Sequence, residues 1–431
     1  MKKLFAVLMA VAMFTGLFAG VASADQIEVR FTWWGDTARH DRYNAICDAF
    51  EAENPDVRII REPLTWADYW DNLARLAGAG DAPDIMGMHP QFASDYAGRG
   101  VLADLQPFMD SGVIDITNIP ESVLVGGMAG DLMCMVSQGV TFTNLVANKT
   151  LLDQVGVEIP DSTGDWTWSE FAALAKEFRE KALEQGLDIW FADEVTGFNS
   201  FRYLARSHGG DLYTADGELG FNAATVAQWW GFWKDLRDAD AIPDAAMTLE
   251  NGTRPLEQRM FTLGETAILC VPINQLWLYQ AQMGDAELQG LRMPTEEDGR
   301  RGEFLEGAHL AAYASGDDAK IEAAARFINF FVNSERSLEH LLMDQGVPAN
   351  TVMAEFIKPL LSPPNQKAIA YVADTTPLAT GATFPPIGAS AVDAAWNDVR
   401  QTVAYGTATP EEAAEVFIAQ ALAILAELKA Q

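Results

Sequence analysis

The chain has 431 residues, 61 acidic and 29 basic, for a formal net charge of −32; 49% are hydrophobic and only 21% charged. Such apolar content builds a core and rules out a wholly disordered protein. The acidity argues against sequence-independent binding to a phosphate backbone and against docking on an anionic bilayer. Two domains suit this length better than one.

Lys2 and Lys3 precede an uncharged run from Leu4 to Ala24 that closes on Ala22-Ser23-Ala24. This predicts a secretory signal peptide over 1–24, cleaved after Ala24, rather than a retained anchor, because no basic stop-transfer cluster follows. No cysteine follows closely, so a lipid-anchored N-terminus is not expected, and the predicted location is a bacterial periplasm. Cys47, Cys134 and Cys270 are far apart and odd in number. They read as three small buried apolar side chains rather than a disulfide framework.

Ile27 to Trp33 reads as a strand leading into the loop Trp34-Gly35-Asp36-Thr37. Helical spacing then puts Tyr43, Ile46, Cys47 and Phe50 on one face of a helix over 41–53, stopped by Asn54-Pro55. Val57 to Ile60 is a second strand. Trp66, Tyr69, Trp70, Leu73 and Leu76 make the next helix, Ile85 to Met88 the third strand, and a further helix runs from about Gln91 to Arg99. This alternation predicts a parallel sheet with helices on its faces.

Farther on, Thr167 and Glu170 form a capping box ahead of Phe171, Leu174, Ala175 and Phe178. Asn222 caps a helix bearing Val226, Trp229, Trp230, Trp233 and Leu236, and its tryptophans read as packing. Ala267 to Val271 and Leu310 to Ala314 are short buried strands. Ile321, Ala324, Phe327, Ile328 and Phe331 mark another helix. The last is capped by Thr409 with Pro410 and Glu412, and its apolar face runs through Ala413, Phe417, Ala421, Ile424 and Leu428. Thr375 to Gly388 is loop-like but apolar. No simple linker divides the chain, so the domains exchange strands more than once.

Several segments occur in a telling order: Phe31-Thr32-Trp33-Trp34-Gly35, Phe50-Glu51-Ala52-Glu53-Asn54-Pro55, Gly80-Asp81-Ala82-Pro83-Asp84-Ile85 and Tyr96 through Leu105. After them come Asn148-Lys149, Trp168-Ser169-Glu170-Phe171, and Phe261 through Ala267 ahead of Trp277. From about Ile27 to about Leu428 the chain resembles the solute-binding proteins of bacterial ABC importers, in the carbohydrate-binding branch. The resemblance implies an α/β, two-lobe periplasmic-binding-protein fold, each lobe a mainly parallel sheet flanked by helices, the two joined by hinge crossovers. By that analogy the N-lobe holds 25–136 and 290–347, and the C-lobe holds 137–289 and 348–431. The first crossing is expected near Leu132 to Gly139. The implied function is capture of a sugar or oligosaccharide by lobe closure and its delivery to a transmembrane permease. The protein is expected to be monomeric, with no cofactor, no metal and no nucleic-acid partner.

A sugar ring has apolar faces and a rim of hydroxyls, so its complement is an aromatic plate with fixed planar hydrogen-bonding groups. Ligands of open α/β sheets lie beyond the carboxyl ends of the strands. The loop after the first strand therefore offers Trp34, Asp36 and Arg39, with the alternatives that Trp34 packs inside and that Arg39 pairs with Asp36 or Asp41 as a surface bridge. Trp66, at the head of the next helix, is either a plate or a core residue beside Tyr69 and Trp70. His89 and Gln91 follow the third strand. From the other lobe come Asn274, Gln275 and Trp277, and the resemblance implies that a tryptophan of this loop stacks on the sugar. Pro272-Ile273-Asn274 replace the family's small residues there. Gln138, near the first crossing, and His309 complete the set.

No G-x-S-x-G, H-E-x-x-H or G-x-x-x-x-G-K pattern occurs, and the histidines lack metal-ligand spacing. The expectation is a binder, not an enzyme. A periplasmic glycoside hydrolase or lyase is the alternative, since acidic pairs abound. A binding protein serving a chemoreceptor is a third possibility.

Overall fold

The computed structural model describes residues 26–380, 385–386 and 388–429. The expected signal peptide lies outside them. In chain order the main elements begin with β1 Ile27–Trp34, α1 Thr37–Glu53, β2 Val57–Leu64, α2 Trp66–Gly78, β3 Ile85–Met88 and α3 Pro90–Gly98. Next come β4 Met135–Ser137, β5 Thr143–Asn148, α4 Trp168–Glu184, β6 Trp190–Ala192, α5 Phe198–Ser207 and α6 Ala223–Asp238. The series continues with β7 Thr266–Pro272, α7 Leu276–Met283, β8 Leu288–Leu291, β9 His309–Ala312 and α8 Asp318–Asn333. It closes with α9 Pro363–Thr375, α10 Ala389–Ala404 and α11 Pro410–Lys429.

The strands form two larger sheets. The first has the order β2-β1-β3-β9-β4 and the second β8-β5-β7-β6. β1 lies parallel to β2 and β3, whereas β9 is antiparallel to both β3 and β4. In the second sheet β5 is the reversed strand, antiparallel to β8 and β7, and β6 is parallel to β7. Each sheet is thus a set of like-directed strands with one reversed strand inserted from elsewhere in the sequence.

Local signals explain most of the elements. Asp36 accepts a hydrogen bond from the Arg39 amide at 3.0 Å and caps α1, so this helix begins a turn before the expected 41. Its first turn is polar, which hides it from an apolar-spacing search. β2 runs to Leu64, past the expected Ile60. As an edge strand it keeps charged side chains engaged: Arg30 Nε donates to Glu62 Oε1 at 2.8 Å, and Arg61 pairs with Glu51 at 2.9 Å. Both capping boxes, Thr167 with Glu170 and Thr409 with Glu412, form as expected.

Phe31, Trp33 and Tyr43 pack beneath the first sheet against Phe327 and Phe331 of α8, Phe31 and Phe327 being 5.0 Å apart. Trp229, Trp230 and Trp233 are buried, as expected, Trp230 lying 4.7 Å from Trp396 of α10. Cys47 and Cys134 are buried free thiols. Cys270 corrects the expectation of three buried apolar cysteines, because it is partly exposed on the wall of a cavity.

Among the described residues the chain passes between the sheets three times, and the passages lie side by side. Val140 and Val347 pair antiparallel, Thr141 and Glu306 likewise, and the Gln138 amide donates to the Ala308 carbonyl at 2.9 Å. Gly139, Gly307 and Gly346 meet here. A Cβ on Gly307, whose φ is +152°, would lie 2.0 Å from the Gly139 carbonyl oxygen. One on Gly346, at φ +114°, would lie 2.6 Å from that of Val140. Only glycine lets backbones approach this closely.

Candidate binding site between the two sheets

A cavity of about 460 Å³ lies where the edges of the two sheets face one another. From the first sheet it receives His89 just past β3, Ser137 at the end of β4 and His309 at the start of β9. From the second it receives Thr143 at the start of β5 and Cys270 to Pro272 at the end of β7. The reversed strands bring their amino ends to the edge where their neighbours bring carboxyl ends. Phe198, Asn199 and Arg202 come from α5, Glu306 and Gly307 from a passage, Tyr213 from a loop and Asp393 from α10.

Glu306 ties this region together. One carboxylate oxygen accepts from the Thr143 amide at 2.9 Å and from the Thr143 hydroxyl; the other accepts from Asn199 Nδ2 at 2.6 Å. Arg202 holds Asp211 with Nε at 2.6 Å and a second nitrogen at 3.2 Å, and stacks over Phe304. Burial pushes the His89 imidazole down to about 4. His309 is also pushed down to about 4, chiefly by burial, with the nearby His89 adding to it; its Nδ1 lies 3.1 Å from the Gly307 carbonyl. Both are therefore neutral near pH 7. Burial raises the Asp393 carboxyl, against the charge of Arg400. Burial likewise pushes the Cys270 thiol up to about 12. Among the described residues no cluster of three or more His, Cys, Asp or Glu could hold a metal ion.

Of the residues expected from sequence, the cavity gathers His89 and His309. Trp34 is buried, its ring 5.2 Å from both Trp66 and Tyr69, and packs across Gly87. Asp36 is a helix cap. Arg39 is ion-paired with Asp344 at 2.6 Å, and not with the expected Asp36 or Asp41. Trp66 is exposed, with its ring 5.9 Å from that of His89. Gln91 lies in α3, and its side chain is outside the described residues.

The amide of Gln138 is buried with both ends engaged, accepting from the Tyr43 hydroxyl and donating to the His309 carbonyl at 2.9 Å. Asn274 accepts from the Thr141 hydroxyl at 2.9 Å, bracing the first passage. Gln275 ends the 3-10 turn Ile273–Gln275, and Trp277 is exposed in the first turn of α7; neither lines the cavity. The sequence search missed Asn199, Arg202, Glu306 and Asp393. They come from three distant segments, 199–202, 306 and 393, which only tertiary pairing brings together.

Residues 45–370 match the family of bacterial extracellular solute-binding proteins, and the chain belongs to that family. A putative binding protein of Brucella abortus is 26% identical over 174 residues, which cover 38% of this chain and 40% of that protein. The match thus spans about two-fifths of the curated relative's length. Among solved structures, a periplasmic solute-binding protein from Pectobacterium atrosepticum superposes with a TM-score of 0.78 at 22% identity, covering 93% of this chain and 99% of that one. A periplasmic oligogalacturonide-binding protein from Yersinia enterocolitica gives 0.73 at 19% identity, covering 93% and 99%. At these identities the structural likeness is one of fold. No helix among the described residues is long and apolar enough to cross a membrane.

Proposed function

We propose that this chain is the solute-capturing component of an ABC importer and that its cavity takes a sugar or oligosaccharide. One observation carries the proposal. A cavity large enough for a small ligand opens between the two sheets, directly beside three hydrogen-bonded glycine-bearing passages. Its walls combine apolar faces, Phe198, Leu212 and Leu305, with polar groups, Asn199, Glu306 and Asp393, the mixture a hydroxyl-rich ring requires. The oligogalacturonide named for the Yersinia neighbour supports a carbohydrate as the ligand class.

In this reading the lobes are 25–136 with 290–347 and 137–289 with 348–431. The pairing of β8 with β5 favours moving the second boundary past Leu291. The lobes rotate about the passages, and closure is favoured by contacts that exist only when ligand bridges them. The permease then reads the closed surface. The mature protein is periplasmic after cleavage at Ala24, is monomeric, needs no cofactor, binds no nucleic acid and leaves the ligand intact.

The experiment is calorimetry against mono- and oligosaccharides, with small-angle scattering and chromatography of the recovered ligand. Saturable binding, a more compact scattering curve and unaltered sugar are expected. Absence of binding across the panel, or recovery of cleaved sugar, would overturn the proposal.

A further inference from the structure

We infer that the cavity selects a non-acidic solute, one offering hydroxyl or ammonium donors and carrying no carboxylate or sulfate. This rests on the carbohydrate reading and narrows it.

The cationic candidates suggested by the sequence do not supply a positive field. Arg39 lies away from the cavity, paired with Asp344. His89 and His309 do line it, but their burial keeps them uncharged near neutral pH. Arg202 is gripped by Asp211 through two nitrogens, but Asp211 is shared with Arg206, so among the described lining residues a partly neutralised Arg202 is the arginine that faces the two carboxylates. Arg400, whose charge reaches Asp393, donates to Thr196 Oγ1 at 3.0 Å and to Asn397, and lines a second polar cavity of about 220 Å³ that meets the first at Cys270.

The anionic side is different. Glu306 and Asp393 both face the space, and no arginine or lysine among the described residues lies within ion-pairing distance of either. Glu306 is held by three neutral donors, which fix its position without cancelling its charge. A ligand carboxylate would enter beside two carboxylates and would meet repulsion on both walls. Hydroxyl or ammonium donors would find acceptors there.

Cys270 allows a test that needs no ligand. It lies between this cavity and the smaller one that Arg400 lines, whereas Cys47 and Cys134 are buried, so Asn199, which lines the first cavity and not the second, is the second reporter position. The rates of thiol modification by a cationic and an anionic methanethiosulfonate reagent are compared, each divided by its rate with a small free thiol. Asn199→Cys provides a second, more exposed thiol at the same cavity. The cationic reagent is expected to be favoured by roughly tenfold. Asp393→Asn is expected to shrink that preference several-fold, which separates the cavity field from the acidity of the whole protein. Equal rates, an anionic preference, or a preference untouched by Asp393→Asn would each overturn the inference. A sugar panel run alongside tests the underlying reading independently. A cationic preference in a protein that binds no sugar would sink the carbohydrate assignment and leave the charge rule standing.

Discussion

Val140 and Val347 exchange both of their backbone hydrogen bonds, at 2.6 and 2.8 Å, although each belongs to a different passage between the sheets. The third passage joins through Glu306, which exchanges bonds with Thr141 at 2.9 and 3.0 Å. The glycines that permit this contact are the place to perturb it. Gly307→Ala would drive a Cβ into the Gly139 carbonyl oxygen in a backbone region that L residues rarely occupy. The expected cost is about 3 kcal/mol, measured by denaturant unfolding. An unchanged midpoint would show that the passages yield freely.

The two tryptophans nominated by sequence should behave differently. Trp34→Ala removes a ring from an aromatic cluster with Trp66, Tyr69 and Trp70 and should cost about 3–5 kcal/mol of stability. Trp277→Ala removes an exposed ring that lines no part of the cavity, so ligand affinity should stay within a few-fold. Calorimetry on both variants decides this, and a large loss of affinity in Trp277→Ala would return that residue to the site.

Glu306 joins a passage to both the second sheet and α5 through Thr143 and Asn199. Glu306→Gln keeps the shape but turns one acceptor into a donor facing donors. Sugar affinity should fall by roughly tenfold, in line with loss of a charge-assisted hydrogen bond. Titration calorimetry would expose the error if affinity were unaffected.

The buried histidines predict a pH dependence. His309 titrates near 6.5 when unfolded and near 4 when folded. Between those values the unfolded chain binds a proton that the folded protein does not, so stability falls as pH drops from about 6.5 towards about 4. The contribution reaches about 3 kcal/mol at the acid end. Asp193, buried and pushed up to about 6, acts in the opposite sense, because protonation relieves its burial. Comparing the protein with His309→Gln isolates the histidine. The variant's stability should decline less between pH 6.5 and 4, and superimposable pH profiles would refute the assignment.

What the sequence revealed is whatever depends on near neighbours. Asn222 capping α6, the two capping boxes and the apolar faces of α1 and α8 are decided within a turn or two of chain. Trp33 and Trp34 show where that information stops. Period two places them on opposite faces of β1, but helices cover both faces, so both are buried. Sequence spacing says which way a side chain points and not what lies over it. The cavity was harder still, because Glu306, Asn199 and Asp393 converge only after strands from distant segments have paired. β5 and β8 were not recognised for the same reason: their ladder depends on residues far apart in the chain.

The insertion of β9 between β3 and β4 has a consequence for biosynthesis. Leu310 must hydrogen-bond between Gly87 and Val136, so the earliest strands have a vacant slot until the chain has been made past residue 312. Nascent chains of intermediate length cannot close that ladder, and contacts over such separations form slowly. A polypeptide so constrained stays unfinished through much of its elongation, a condition that suits passage through a narrow export pore better than early, stable collapse would.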